Sequence, residues 1–226
     1  TLFDRQLRLN LGAYRYKYTD LQVDFFNSPV FAFTTINAGA AITKGVELEF
    51  EYAPRQIEGF NLRGTVNYNK ARYADFANAP CVAGQSIANG CVNFVQDLSG
   101  EPTAAAPEWT ASLGANYETP ISDKLVFGIS ADSRYSSSYL PSSFAHPLSR
   151  QGRYISIDAS ARVRTSDEHW ELAVLGKNLT NRFIVTGAYD SPSTGSGTGT
   201  VNGIYADQIG QTSLPRTVEL QLTWRY

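Results

Sequence analysis

Long segments of strict two-residue alternation run through this sequence, and no other feature narrows its fold so far. Val46, Leu48, Phe50 and Tyr52 alternate with Gly45, Glu47, Glu49 and Glu51. Phe60, Leu62, Gly64, Val66 and Tyr68 alternate with Asn61, Arg63, Thr65, Asn67 and Asn69. The pattern returns from Trp109 to Tyr117, from Leu125 to Asp132, from Ile155 to Arg164, from Trp170 to Val174, and from Thr217 to Tyr226. A two-residue period puts successive side chains on opposite faces of an extended strand. Each segment is therefore a strand with one apolar and one polar face. The first segment is less regular: Leu7, Leu9, Leu11 and Ala13 share one face, while Tyr14, Tyr16 and Tyr18 lie on the other. It predicts either a bulge near Gly12 or a strand that rises beyond a membrane.

Eight strands follow, and the connections between them come in two lengths. Short ones fall at Pro54–Gly59, Thr119–Asp123 and Ser166–His169, and long ones at Asn27–Ala38, Ala77–Pro107, Leu140–Gly152 and Ile184–Ser213. Short and long alternate, so tight turns gather at one end of the sheet and long loops at the other. Outer-membrane barrels have this asymmetry, with short periplasmic turns and long extracellular loops. A soluble antiparallel sandwich also buries one face of each strand. Against it stand strands of about 10–13 residues, where soluble strands most often have about 5–6. Aromatic residues also sit at both ends of the apolar faces, as Phe60 with Tyr68 and Trp109 with Tyr117. Eight residues cover about 26 Å of strand, which with tilt approaches the height of a barrel's apolar band. The polar face is strongly charged, as a wet or plugged lumen allows. The expected fold is an all-β, antiparallel transmembrane barrel.

Composition agrees with that reading. The chain has 13 Tyr, 12 Phe and 3 Trp among 226 residues, enough for aromatic girdles. No apolar run approaches the roughly 18 residues of a membrane helix, and a barrel needs none because only alternate residues face lipid. Net charge is −2 with 19 scattered basic residues, which gives no nucleic-acid surface. The sequence has no Met, no signal peptide is visible, and Thr1 stands just before a strand. Residues 1–226 are therefore expected to be a portion of a longer chain. Cys81 and Cys91 share one Gly-, Ala- and Asn-rich stretch. A local disulfide is the expectation, which implies an oxidising compartment; two free thiols are the alternative. No zinc set is in view, since two thiols without a nearby histidine make a poor one.

Catalytic signals are weak, and neither a catalytic residue, a metal site nor a cofactor is expected. His146 and His169 fall in a long loop and at a tight turn, where solvation is the expectation. No nucleophile elbow follows a strand and opens a helix. Gly195-Ser196-Gly197-Thr198-Gly199 has no helix after it to present amides to a phosphate, and reads as a flexible loop. Asp97 and Glu101 are two acids without a calcium-loop pattern. A better group is the polar-face set of Glu47, Glu49, Glu51, Arg63, Asp132, Arg134, Asp158, Arg162, Arg164, Glu219 and Arg225.

Several segments together resemble the C-terminal barrel of TonB-dependent outer-membrane receptors. They are Asn37-Ala38-Gly39 leading into Lys44-Gly45-Val46-Glu47-Leu48-Glu49, the strand Gly64–Phe76, Gly176-Lys177-Asn178-Leu179-Thr180-Asn181, and Leu214-Pro215-Arg216-Thr217. The resemblance covers essentially the whole chain. It implies the last eight strands of a barrel of 22, a size at which the lumen is plugged. It further implies energised uptake of a ferric siderophore or similar ligand, with carbohydrate and cobalamin as alternatives. The partners it implies are outer-membrane lipid, the TonB complex, an N-terminal plug and a small-molecule ligand. Lumen charges near the turns would then pair with the plug, and loop aromatics Phe144, Tyr189 and Tyr205 become candidate ligand contacts. Tyr226, in register with Trp224, resembles the terminal aromatic signal read by barrel-assembly machinery. Two rival functions are a closed eight-stranded barrel acting as adhesin or small porin, and a soluble sandwich acting as a binding module.

Overall fold

The computed structural model describes residues 2–27 and 32–226. Eight strands form one antiparallel sheet in sequence order: β1 Leu7–Thr19, β2 Ala40–Tyr52, β3 Phe60–Asp75, β4 Trp109–Ser122, β5 Leu125–Ser136, β6 Tyr154–Thr165, β7 Trp170–Lys177 and β8 Thr217–Trp224. β1 and β8 are the two edges, with no pairing between them among the described residues.

Register explains the alternation. Residues directly opposite on neighbouring strands share a face, and one apolar row crosses six strands as Leu11, Leu48, Val66, Ala111, Tyr135 and Ile155. A second joins Phe127, Val163, Leu172 and Leu222. Among the described residues nothing covers this face: Leu11 is 76% exposed and Leu220 73%. In water such a surface would be far larger than a soluble monomer keeps. The main cluster of buried apolar residues lies elsewhere, among the long loops and the loop-side ends of β2 and β3. The sheet therefore needs an apolar solvent on one side, and the loops make their own core.

The polar face is organised just as strictly. Arg8, Glu51, Arg63, Gly114, Asp132 and Asp158 form one row across six strands. Arg63 reaches Asp132 at 2.7 Å across Gly114, where a Cβ would stand 2.5 Å from the Asp132 carboxylate. Glycine at this position makes room for the ion pair.

At the strand ends one of two alternatives is decided and one turn changes. β1 pairs with β2 without a register shift, so there is no bulge at Gly12. Tyr14 shares the polar face, where its hydroxyl donates to Asn69 at 3.0 Å, while Arg15 and Lys17 take the outward positions. The strand thus rises past the apolar band. The turn read at Thr119–Asp123 is shorter: β4 continues to Ser122 through an irregularity between Pro120 and Ser122. Proline lacks the N–H a regular ladder needs, and the irregularity accommodates it in the strand.

Candidate ligand-binding cleft in the long loops

The long loops fold on one another. Two-stranded hairpins form from Gln22–Asn27 with Ala32–Asn37 and from Val185–Asp190 with Gln208–Thr212. Residues 28–31 of the first long loop lie outside the described residues. In the second loop a short ladder pairs Ala79–Pro80 with Val95–Gln96, and a disulfide joins Cys81 to Cys91. Tyr73, Phe76, Ala79, Val82, Leu98 and Phe144 make the buried core, flanked by Phe25, Ile36 and Tyr205. Phe25 meets Phe144 edge-on at 5.0 Å, and Phe76 lies 6.2 Å from Phe144.

Buried polar groups tie the loops together. The Gln85 side-chain amide donates to Gln96 Oε1 at 3.0 Å, and Gln96 in turn donates to the Phe144 carbonyl. Asp190 accepts from the Ala83 backbone amide at 2.7 Å and from the Gln208 amide at 2.8 Å. The Tyr139 hydroxyl donates to the Val185 carbonyl, and burial with Tyr154 nearby pushes its pKa up to about 12. Gly84 has φ +83 and sits against the Ile204 backbone, where a Cβ would clash at 1.9 Å. The Gly195–Gly199 stretch, read as flexible, is anchored: the Gly199 amide donates to the Gln85 carbonyl at 2.7 Å.

His146, expected to be solvated, is fully buried. Tyr205 packs on it edge-to-face at 5.2 Å, and its Nδ1 accepts from the Leu148 amide. The neutral ring therefore carries its proton on Nε2, which points at Asp190 from 3.6 Å, beyond hydrogen-bond reach. Burial holds its pKa below the ordinary value, with the Asp190 carboxylate pulling the other way. His169 stays exposed beside Asp167 at the short turn.

Between the loops lies a cleft of about 940 Å³, with Asp24, Phe25, Phe33, Phe144, Tyr189 and Asp190 in its wall. Of the three aromatics singled out in the sequence, Phe144 and Tyr189 line it. Tyr205 does not; it covers His146 and accepts a hydrogen bond from Asn89. Asp24 and Asp190 are the charged side chains among the described residues of the wall. Both escaped sequence reading, because loops carry no period and nothing local distinguishes these acids from solvated ones. Asp97 spends its carboxylate on the Ser99 amide. Among the described residues no group of three or more His, Cys, Asp or Glu is placed to hold a metal ion.

Away from the cleft, polar-face charges pair locally. Glu118 is bound by both Arg162 and Arg164, Arg164 also meets Glu168 at 3.1 Å, and Arg8 faces Glu51 at 3.7 Å. The Asn178–Asn181 motif is a compact knot. Asn178 and Asn181 adopt positive φ, which asparagine tolerates better than most residues. The Asn178 side chain donates to the carbonyls of Arg182 and Leu214, and Asn181 accepts from the Arg216 amide. These bonds set the entry into β8. Tyr226 lies beyond β8, its ring 5.2 Å from Trp224, which is 6.1 Å from Trp170.

An uncovered apolar face, a charged opposite face and loops gathered at one rim define the wall of a membrane β-barrel. The chain belongs to the TonB-dependent receptor-like β-barrel family, whose model matches residues 1–179. Members of that family are outer-membrane barrels, receptors and transporters rather than enzymes. No curated protein sequence matches the chain. Among solved structures it is similar to the siderophore receptor PiuA of Acinetobacter baumannii, at 17% identity and a TM-score of 0.64 over 100% of this chain and 27% of that one. The ferric yersiniabactin uptake receptor FyuA of Yersinia pestis is 16% identical, with a TM-score of 0.66 over 96% of this chain and 27% of that one. BauA, the ferric preacinetobactin receptor of Acinetobacter baumannii, is 17% identical, with a TM-score of 0.60 over 97% and 27%. The chain thus spans about a quarter of the length of these receptors, and the likeness is one of fold.

Proposed function

We propose that the protein takes up a small ligand of the ferric-siderophore type across the outer membrane, driven by TonB, with residues 1–226 forming the C-terminal strands of a larger plugged barrel. The observation that carries this reading is the loop cleft: it is built on a wall of this family, with its core and hydrogen bonds locking several long loops into one surface. On this reading the long loops face outside and the short turns the periplasm. The unpaired edges of β1 and β8 then join further strands, as exposed long edges require. A self-contained eight-stranded barrel would instead pair β1 with β8. The cleft wall offers aromatic rings and two carboxylates, which favour a ligand whose contacting side is neutral or cationic over a polyanion. Its role is binding, not catalysis.

The test is uptake by cells in which the full-length protein is the sole route for labelled ferric chelates. Uptake is expected to vanish without TonB. Phe144→Ala and Tyr189→Ala are expected to raise the half-saturating concentration roughly tenfold each, the order of losing a well-packed aromatic contact. Uptake that persists unchanged without TonB would overturn the reading.

A further inference from the structure

The cleft wall holds Asp24 and Asp190 and, among its described residues, no lysine or arginine. The two acids stand on the first and last loop hairpins, which meet where Phe33 packs edge-on against Tyr189 at 6.4 Å. Asp190 keeps 18% of its side chain exposed. Its hydrogen bonds come from neutral donors, the Ala83 backbone amide at 2.7 Å and the Gln208 side-chain amide at 2.8 Å. His146 Nε2 points at it from 3.6 Å without bonding, and burial keeps that ring neutral. Asp24 is exposed and accepts from the Thr35 hydroxyl. Among the described residues neither acid is paired with a lysine or arginine.

The cleft thus carries negative charge that its own wall does not offset, and a concave surface concentrates such a field. A chelate bearing several negative charges is repelled there. A bare metal ion finds too few ligands, since a hard cation takes about six to eight oxygens and the wall offers two acids. The cavity of about 940 Å³ is also of a size that holds whole small molecules, roughly 300–1,000 Å³. A protonated amine on such a molecule suits every feature. It donates to carboxylates without demanding a fixed coordination sphere, and Asp190, with about four acceptor positions on its two oxygens, has room for a further donor. Aromatic faces attract the same cation, and Phe33, in the same wall as Tyr189, is 73% exposed.

We propose that the cleft selects ferric chelates that carry a protonated amine, with Asp24 and Asp190 as the carboxylates that receive it. This rests on the reading of the cleft as the ligand site of an uptake receptor. The test is calorimetric titration of the purified full-length protein with three ferric trihydroxamates of one framework. Ferrioxamine B carries one positive charge on its free amine, its N-acetyl form is neutral, and its N-succinyl form carries one negative charge. Ferrioxamine B is expected to bind roughly tenfold more tightly than the acetyl form, the order of one charge-assisted hydrogen bond, and the succinyl form to bind weakest. Asp24→Asn, which keeps an acceptor for Thr35, is expected to narrow the preference to about threefold. Equal affinities, a reversed order, or no binding of any of the three by the wild type overturns the proposal without need of a variant. A preference unchanged in Asp24→Asn overturns it too. Uptake is read separately, in cells with and without TonB. The charge order in binding together with TonB-independent uptake sinks the transport reading alone, whereas TonB-dependent uptake without the charge order sinks the proposal alone.

Discussion

His146 is the residue whose surroundings change its meaning most. It sits in a polar loop, yet Asp190 and Tyr205, both distant in sequence, close over it. Its folded pKa lies below the ordinary value of 6.5 because burial disfavours the imidazolium. An opened loop cap takes up the proton near 6.5, while the closed cap does so only at lower pH. Proton uptake therefore favours opening, and closure weakens as pH falls below about 6.5. Hydrogen exchange in residues 140–152 and 184–213, corrected for intrinsic rates, should show freer opening at about pH 5.5 than at about pH 7.5. His146→Asn should flatten that dependence; the same slope in the variant would assign it elsewhere. None of this was legible in the sequence, since burial of a loop residue depends on which other loops meet it. Gly114 is a similar case, a strand glycine whose role appears only when Arg63 and Asp132 are seen to meet across it.

At the scale of elements, strands were legible and loops were not. A strand in contact with lipid on one side and polar groups on the other must alternate, so β2, β3 and β8 announced themselves. The β1 end at Tyr14–Tyr18, where two readings stood open, and the misread turn at Pro120–Ser122 lie where the apolar band stops or a proline interrupts the ladder. The loops carry hairpins with mixed patterns and a core assembled from many segments, which leaves only Cys81 and Cys91 as a readable constraint. Their disulfide spans 10 residues, and losing it is expected to weaken that loop by about 2–3 kcal/mol in the chain-entropy account. Cys81→Ser/Cys91→Ser should thus become protease-sensitive within residues 77–107 while the sheet melts at its usual temperature. A lowered sheet melting temperature would show instead that loop and wall unfold together. On β8, Leu220→Arg puts a charge in the apolar band and should destabilise the inserted protein by about 2–4 kcal/mol. Gln221→Arg, on the polar face, should cost much less; equal losses in a urea refolding titration would contradict the assignment of faces.

For the whole molecule, the apolar core sits in the loops and the apolar exterior on the sheet, the reverse of a soluble sandwich. That inversion follows from where the hydrophobic residues can go: the loops bury theirs in water, and the sheet needs lipid for its own. The cleft in the loops depends on this placement. The most direct measurement is a cysteine scan of residues 217–224 in the full-length protein, each position spin-labelled in a bilayer and probed with oxygen and with a water-soluble nickel chelate. The account predicts period-two behaviour, with 218, 220, 222 and 224 open to oxygen and 217, 219, 221 and 223 open to nickel. Uniform accessibility along the strand, or the opposite phase, would contradict it.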